Sequence, residues 1–235
     1  MTRPIRKFPR IVHLMYFPWD KNQNLKINEN DFDLSFYKEM LQQNPDWDIK
    51  LWTLSKTREF VEHKYPGLWS HLWSLFSHPV QAVDFFRLLV VFELGGIYWQ
   101  YESEQLVDLQ KFRPRWNSQI RLFVERTISR DFSRKMATQP IRNGKPEEIC
   151  RICNQIFSAY PRNGFLQYCI NKSKNNLLTS RVSCDYDILY IGANAMISEA
   201  YHEYKNHGKI QLTSKKQRKR MIRLACRGSW RTEEL

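Results

Sequence analysis

The sequence predicts one α/β domain that spans residues 1–235. Segments with the short apolar pattern of strands alternate along the chain with segments that have a helical period, an order typical of α/β proteins. No repeat, low-complexity tract or long Pro/Gly/Ser linker divides the chain. Hydrophobic residues make up 42% of the sequence and aromatic residues 14%, which is enough for one packed core.

Hydrophobic periodicity gives the order of the elements. Short runs of branched and aromatic residues indicate strands, and apolar residues spaced by one helical turn indicate helices. The predicted elements are a strand at 11–16, a helix at 33–43, a strand at 49–53, a helix at 56–64, helical segments across 67–94, strands at 96–99 and 120–125, a helix near 163–173, a strand at 187–191 and a helix at 193–205. Residues 147–159 fit a helix and a strand about equally, so both remain open.

A helix before residue 95 carries two charged groups of interest. Its apolar residues form a stripe at 82, 85, 86, 89 and 92, while Asp84 and Arg87 lie one turn apart on another face. Pro79 suits the first turn of this helix, and Gly95-Gly96 ends it.

A short buried strand, Ile97-Tyr98-Trp99, follows the two glycines. Gln100 and Glu102 then fall at or just beyond the carboxyl end of this strand, with side chains on the same side. In open α/β sheets, ligands bind at that edge. The sequence therefore predicts a ligand site where the helix, the glycine turn and the strand end converge.

At these residues the chain resembles glycosyltransferase family 32 and, more distantly, the glucosyltransferase domains of large bacterial cytotoxins. Members of the family show a Ser-Asp-Leu-Leu-Arg-like helix and then Gly-Gly-Ile-Tyr-Leu-Asp-x-Asp-x-Glu. Asp84, Arg87, residues 95–98 and Glu104 match this pattern, whereas the Asp-x-Asp is replaced by Gln100-Tyr101-Glu102.

Four other blocks occur in the family's order. Residues 9–16 resemble the opening strand, with Tyr16 at the aromatic position, and residues 44–52 resemble the helix exit that leads into the second strand. Residues 153–165 resemble a later segment with Asn-x-x-Phe, and Gly228-Ser229-Trp230 resembles the closing Ser-Trp loop.

The resemblance implies a GT-A type, Rossmann-like single domain with a central mixed, mostly parallel sheet flanked by helices. It also implies that the protein moves a hexose from a UDP- or GDP-linked donor to a hydroxyl acceptor on a glycan or protein, with retention. Residues 214–235 would form a basic carboxyl-terminal helix and closing loop.

The resemblance further implies the residues of the site. Arg87, Gln100 and Glu102 are the expected catalytic residues, because charge on a leaving diphosphate is neutralised by fixed cations and donors. The residues expected to bind the donor are Tyr16, Asp84, Arg87, Gly96, Tyr98, Gln100, Ser229 and Trp230.

In the family, paired aspartates bind Mn²⁺ or Mg²⁺, which bridges the diphosphate. Here Glu102 is the expected metal ligand, since Gln100 offers an amide without charge. The family also often places a histidine shortly before the Ser-Trp, and residues 224–227 contain none. We therefore expect a weakened Mn²⁺ or Mg²⁺ site, and a metal-independent enzyme is the alternative.

Two other functions compete with sugar transfer. The altered metal motif is compatible with a degenerate protein that binds a nucleotide sugar, or only a partner, without turnover. The net charge of +13 and the basic residues between 215 and 223 are compatible with a nucleic-acid-binding protein. Aromatic residues are not interleaved through that run, so we do not expect nucleic acid as a partner of this protein.

The remaining polar residues favour ordinary structural roles. His13 lies within the first predicted strand and is expected to face inward and be hydrogen-bonded. Asp185 and Asp187 flank a predicted strand start and are expected to be solvated, whereas Asn194 matches only loosely a family loop near the sugar.

Five cysteines, at 150, 153, 169, 184 and 226, cannot all pair within one chain. The spacing Cys150-x-x-Cys153 has no second ligand pair for zinc, so buried thiols are the simpler interpretation. The amino terminus is positively charged without an apolar segment after it, and no run of about eighteen apolar residues occurs. We therefore expect a soluble, cytoplasmic protein without a transmembrane segment.

Overall fold

A computed structural model of the protein describes residues 7–17, 32–129, 148–183 and 185–225. The strands are β1 (Ile11–Met15), β2 (Asp48–Trp52), β3 (Gly96–Gln100), β4 (Glu104–Gln105), β5 (Ile120–Ser129), β6 (Glu148–Ala159), β7 (Ile210–Thr213) and β8 (Ile222–Arg223). The helices are α1 (Ser35–Gln43), α2 (Leu54–Lys64), α3 (Leu68–Trp73), α4 (Pro79–Leu94), α5 (Gly164–Thr179), α6 (Asp185–Ile191), α7 (Asn194–Glu203) and α8 (Lys215–Lys219). Short 3-10 turns occupy Leu109–Phe112 and His207–Lys209.

A six-stranded mixed sheet in the order β2-β1-β3-β6-β5-β7 forms the centre of the fold. Strand β1 pairs in parallel with β2 and β3, and β5 pairs in parallel with β7. Strand β6 runs antiparallel to both of its neighbours, β3 and β5. Five strands therefore point in one direction, and the predicted class, a mostly parallel α/β sheet flanked by helices, is confirmed.

Two hydrophobic cores cover the two faces of the sheet. Alternation along β3 places Tyr98 in one core, with residues of α4, α5 and α7, and places Ile97 and Trp99 in the other, with Met40 of α1. Because both faces are covered, β3 is a nearly continuous apolar run rather than an alternating one.

Helix α4 is buried over most of its length. Its first turn is fixed by Pro79 at the first helical position and by His78, whose Nδ1 accepts a hydrogen bond from Val80 N. Gln81 Oε1 accepts from His78 N in return. The predicted apolar stripe is present, but every residue from 80 to 92 is buried, including the charged positions.

The two glycines after α4 are required by their backbone and by their neighbours. Gly95 and Gly96 have φ angles of 67° and 98°, a region that side chains disfavour. A Cβ on Gly96 would lie 2.4 Å from Ile11 O in β1, and a Cβ on Gly95 would lie 2.6 Å from Cδ of Pro161. The pair therefore lets the chain turn directly from α4 into a strand packed against β1.

The structure corrects the prediction at 187–191. This segment is α6 rather than a strand, because a short apolar run has no period that separates the two. Asp187, expected to be solvated, is buried, and its Oδ2 accepts from Ser183 N. Residues 148–159, left open, are the long strand β6. Strands β4, β7 and β8 were not predicted, and all are short.

Candidate functional site

Five side chains meet near the carboxyl end of β3. Helix α4 supplies Asp84 and Arg87, β3 supplies Tyr98 and Gln100, and the neighbouring β6 supplies Asn154. Asp84 Oδ1 lies 2.8 Å from Arg87 Nη2 and accepts a hydrogen bond of 2.9 Å from Asn154 Nδ2. The guanidinium of Arg87 packs 4.7 Å from the centre of the Tyr98 ring. The helix and the strand end thus meet as predicted, whereas the glycine turn, predicted to converge with them, lies at the opposite end of β3.

The Asp84–Arg87 pair is buried, with only 4% of each side chain exposed. Arg87 also donates from Nε to Val83 O at 3.2 Å and from Nη1 to Asn154 O at 2.8 Å. Burial raises the pKa of the Asp84 carboxyl, while the charge of Arg87 and the amide of Asn154 oppose that rise. Arg87 is therefore part of an internal framework rather than an exposed cation.

The phenol of Tyr98 connects this framework to Gln100. Burial raises the pKa of Tyr98 to about 12, so the hydroxyl carries its proton at neutral pH. Tyr98 Oη donates to Gln100 Oε1 across 3.4 Å, a long hydrogen bond. With its oxygen engaged in this way, the Gln100 amide presents its Nε2–H groups as donors. An aspartate at this position would present acceptors only.

The turn after β3 holds Glu102 in a strained conformation at the surface. Glu102 has a φ of 64°, in the left-handed region that a glutamate rarely adopts, and it is exposed. Ser103 N donates to Gln100 O at 3.1 Å and closes the turn. No group of three or more His, Cys, Asp or Glu side chains in the described residues could hold a metal ion.

Aromatic rings line the other side of this turn. Tyr16 stacks on Tyr101 with ring centres 4.4 Å apart, and Phe32 contacts Tyr16 edge-on. The Tyr101 hydroxyl donates to Asp33 O at 2.8 Å. Tyr16 therefore lies next to the Gln100–Glu102 turn, with one ring face covered by Tyr101.

The described carboxyl-terminal segment ends beside the same turn. Strand β8 pairs antiparallel with β4, and Arg223 forms an ion pair with Glu104. Ala225 N then donates to Ser103 Oγ at 3.0 Å, and Gln155 Nε2 donates to Ala225 O at 3.5 Å. The predicted closing residues Ser229 and Trp230 lie outside the described residues.

Packing explains the positions of Gly96 and His13, two residues that the sequence analysis considered. Gly96 lies at the amino end of β3, the opposite end of the strand from Gln100, against Ile11 of β1. His13 is fully buried, as predicted; Trp52 Nε1 donates to its Nδ1 at 3.0 Å, so its Nε2–H donates to Gly95 O at 2.7 Å. Burial lowers the pKa of His13 to about 4.

Two amides, Asn154 and Asn194, make contacts that the sequence does not reveal. Asn154 was part of the Asn-x-x-Phe block, and its contact with Asp84 is the role that the sequence did not show. Asn194, at the start of α7, donates from Nδ2 to Glu125 Oε2 at 2.7 Å, and its Oδ1 is buried without a hydrogen-bond partner among the described residues.

The described cysteines are free thiols. Cys153 and Cys169 are buried, and Cys150 is partly exposed. Burial raises the pKa of Cys153 to about 12 and also raises that of Cys169. Cys184 and Cys226 lie outside the described residues.

Comparison with protein families matches residues 32–115 to the glycosyltransferase sugar-binding region containing DXD motif. The predicted resemblance is confirmed. The matched region contains the Asp84–Arg87 pair and the Gln100–Glu102 turn. Among solved structures, the PaToxG glycosyltransferase is similar over 87% of this chain and 72% of that chain, at 16% identity and a TM-score of 0.49. No curated protein matches the chain. None of the described helices is long and apolar enough to cross a membrane.

Proposed function

We propose that this protein is a retaining hexosyltransferase that uses a UDP- or GDP-linked sugar and a hydroxyl acceptor on a glycan or protein. The observation that carries the proposal is the buried Asp84–Arg87 framework, which orients Tyr98 directly below the strand end that bears Gln100. Retention is proposed from the family resemblance alone.

The Asp84–Arg87 ion pair limits the positive charge that Arg87 can offer to the donor. Arg87 uses three of its five N–H groups on Val83, Asn154 and Asp84, and Asp84 cancels most of its charge. We therefore assign Arg87 the role of holding the framework in place. The leaving diphosphate then needs a second source of positive charge.

We assign this role to a divalent cation that Glu102 would bind. Mg²⁺ sites commonly use one or two carboxylates together with substrate phosphates, so a single glutamate at the rim fits such a site. When bound, Mn²⁺ or Mg²⁺ would supply charge to the leaving group. Gln100 would donate from Nε2 to a sugar hydroxyl or a phosphate oxygen.

The surrounding segments complete the proposed donor site. Tyr16 would stack against or flank the nucleotide base. Ser229 and Trp230 follow Ala225, which contacts the Gln100–Glu102 turn, and would close over the diphosphate with a hydroxyl and an indole N–H.

The test combines donor panels with three substitutions. Purified protein is incubated with UDP- and GDP-sugars with and without Mn²⁺, and transfer, donor hydrolysis and saturation-transfer NMR are measured. Gln100→Asp should strengthen Mn²⁺ dependence by adding a second hard ligand, and Glu102→Gln should abolish it. Glu104→Gln is the matched control, because it removes the same charge from a nearby carboxylate that pairs with Arg223.

Two outcomes would count against metal-dependent sugar transfer. Activity that chelator and Glu102→Gln both leave unchanged would show that no metal acts here. Donor binding without hydrolysis or transfer would favour the non-catalytic alternative, which the uncharged Gln100 and the neutralised Arg87 motivate.

A further inference from the structure

A second candidate site lies at the opposite edge of the sheet, where β3 and β5 begin. A groove of about 970 Å³ opens there between the 113–119 loop and residues 160–163. Three basic side chains line it, Lys7, Arg113 and Arg162, together with the rings of Trp116 and Tyr160. This groove shares no lining residue with the proposed donor site.

A smaller cavity of about 310 Å³ adjoins the groove, and Ser118 lines both. Arg115, Arg121 and His207 contribute its basic groups. The two cavities thus lie on the two sides of the loop that carries Trp116.

The charges of this surface are only partly balanced: Arg162 pairs with Glu93, which lines neither cavity. No acidic residue lines either cavity. Within the described part of the chain, Arg115 and Arg121 have no carboxylate partner; Arg121 instead donates to Thr213 Oγ1, to Lys111 O and to the sulfur of Met221. Burial and the nearby charge of Arg115 lower the pKa of Arg121 to about 10. An anion between the two guanidinium groups would relieve this repulsion.

Trp116 is the second unusual feature of this surface. Its side chain is 94% exposed, whereas the other exposed large hydrophobic residues among those described are at most 53% exposed. A ring with both faces in water contributes nothing to the core, but it offers a platform for another planar group.

We propose that the two cavities form a binding surface for single-stranded nucleic acid. Arg115 and Arg121 would hold a phosphate in the smaller cavity, and a neighbouring base would stack on Trp116 in the groove. Cations beside an exposed ring are the combination that binds single strands without sequence preference. The interleaving of charge and aromatic rings that is absent from 215–223 is present here.

The concave shape and the exposed ring favour this partner over other polyanions. A flat anionic bilayer would not fill a groove of about 970 Å³, and an acidic peptide need not supply a planar group for Trp116. An acidic polypeptide and anionic vesicles are therefore tested as competing ligands.

The experiment measures fluorescence anisotropy of a labelled single-stranded oligonucleotide of about 12 nucleotides as salt is raised. Trp116→Ala should weaken binding by on the order of 10- to 100-fold, and Trp116→Phe should restore most of it. Arg115→Ala should reduce the slope of log K against log salt by about 0.7, the loss of one neutralised phosphate. Arg58→Ala, the same charge change on α2 outside both cavities, should leave the slope closer to that of the wild type.

Three results would overturn the proposal. The first is oligonucleotide binding that Trp116→Ala leaves unchanged, and the second is an equal loss of affinity in Arg58→Ala and Arg115→Ala. The third is binding of polyglutamate or of phosphatidylserine vesicles as tight as that of the oligonucleotide, which would assign the surface to another class of partner. Donor-sugar binding should be unaffected by Trp116→Ala, so failure here is distinguishable from failure of the proposed transferase activity.

Discussion

The arginines at the two edges of the sheet differ in how their charge is compensated. At the carboxyl edge, Arg87 is buried, paired with Asp84 and bonded to two backbone carbonyls. At the amino edge, Arg115 and Arg121 stand close together without a carboxylate partner among the described residues. A buried charge must be paired for the chain to fold, whereas the exposed Arg115 and the partly buried Arg121 can remain without a carboxylate. The arginine within the family motif is therefore the structural one, and the unbalanced charge lies elsewhere.

The largest effect should come from breaking the buried pair. Arg87→Ala leaves the Asp84 carboxylate buried and unpaired, which should cost about 3–5 kcal/mol of unfolding free energy. Equilibrium urea denaturation measures it. Because the pair is buried, the substitution should act mainly on stability.

Arg115→Ala is the control at the other edge. Because it removes an exposed cation and relieves repulsion on Arg121, it should not lower the unfolding free energy. Equal destabilisation by the two substitutions would contradict the contrast between the edges.

A smaller but still large effect is expected at the glycine turn. Gly96→Ala must accept a φ of 98° and a Cβ placed 2.4 Å from Ile11 O, so it should destabilise by roughly 3 kcal/mol. Gly67 is a matched control, since it has a φ of 80° but nothing within 4 Å of its added Cβ. Gly67→Ala should cost only about 1 kcal/mol. Similar melting temperatures for the two variants would show that the approach of β1 to β3 is not tight.

The central histidine gives the fold a predictable pH dependence. His13 is neutral in the folded protein because burial lowers its pKa from 6.5 to about 4, with smaller and opposing effects from Lys50 and Asp48. Below pH 6.5 the unfolded chain binds a proton that the folded chain does not. The contribution of neutral His13 to the free energy of unfolding is therefore complete above pH 6.5. It is lost as the pH falls toward 4, by up to about 3 kcal/mol.

Denaturation curves at pH 7 and pH 4.5 measure this loss. His13→Gln keeps one donor and one acceptor for Gly95 and Trp52 but does not titrate, so its stability should fall less over the same interval. If the free energy of unfolding depends on pH in His13→Gln as it does in the wild type, His13 is not the cause of that dependence.

A more modest effect is expected from truncation at the carboxyl terminus. Removal of everything after Lys219 would delete Ile222, which is buried in the core, and the pairing of β8 with β4. A chain that ends at Ala225 keeps both. Such a chain should fold normally but bind the donor on the order of tenfold more weakly, because Ser229 and Trp230 are missing. Undiminished donor affinity, measured by calorimetry, would exclude a closing role for them.

Much of the fold could be predicted because local signals agreed with one another. Pro79, the helical apolar stripe and the two glycines together define α4 and the start of β3, and both elements are present. The segment 187–191 was misassigned because the four apolar and aromatic positions in a row at 188–191 do not distinguish a helix from a strand. Strand β7 and the β4–β8 ladder are too short to leave a periodic signal.

The candidate site was only partly visible in the sequence. Residue types at the strand end could be identified, but the burial of the Asp84–Arg87 pair depends on Asn154 and Tyr98 closing over it. The amino-edge surface could not be predicted, because its cavities combine segments that are far apart in the chain. Charge alone directed attention to 215–223, where Arg218 is in fact buried and donates to Val124 O.

The most direct test of the account is donor binding by two matched variants, one at each edge. Saturation-transfer NMR with UDP- and GDP-sugars in the presence of Mn²⁺ would compare Gln100→Ala with Trp116→Ala. We predict that Gln100→Ala weakens donor binding by about tenfold or more, because a charge-facing donor is lost, and that Trp116→Ala binds as the wild type does. Wild-type binding by Gln100→Ala, or loss of binding in Trp116→Ala, would contradict the assignment of the donor to the carboxyl edge.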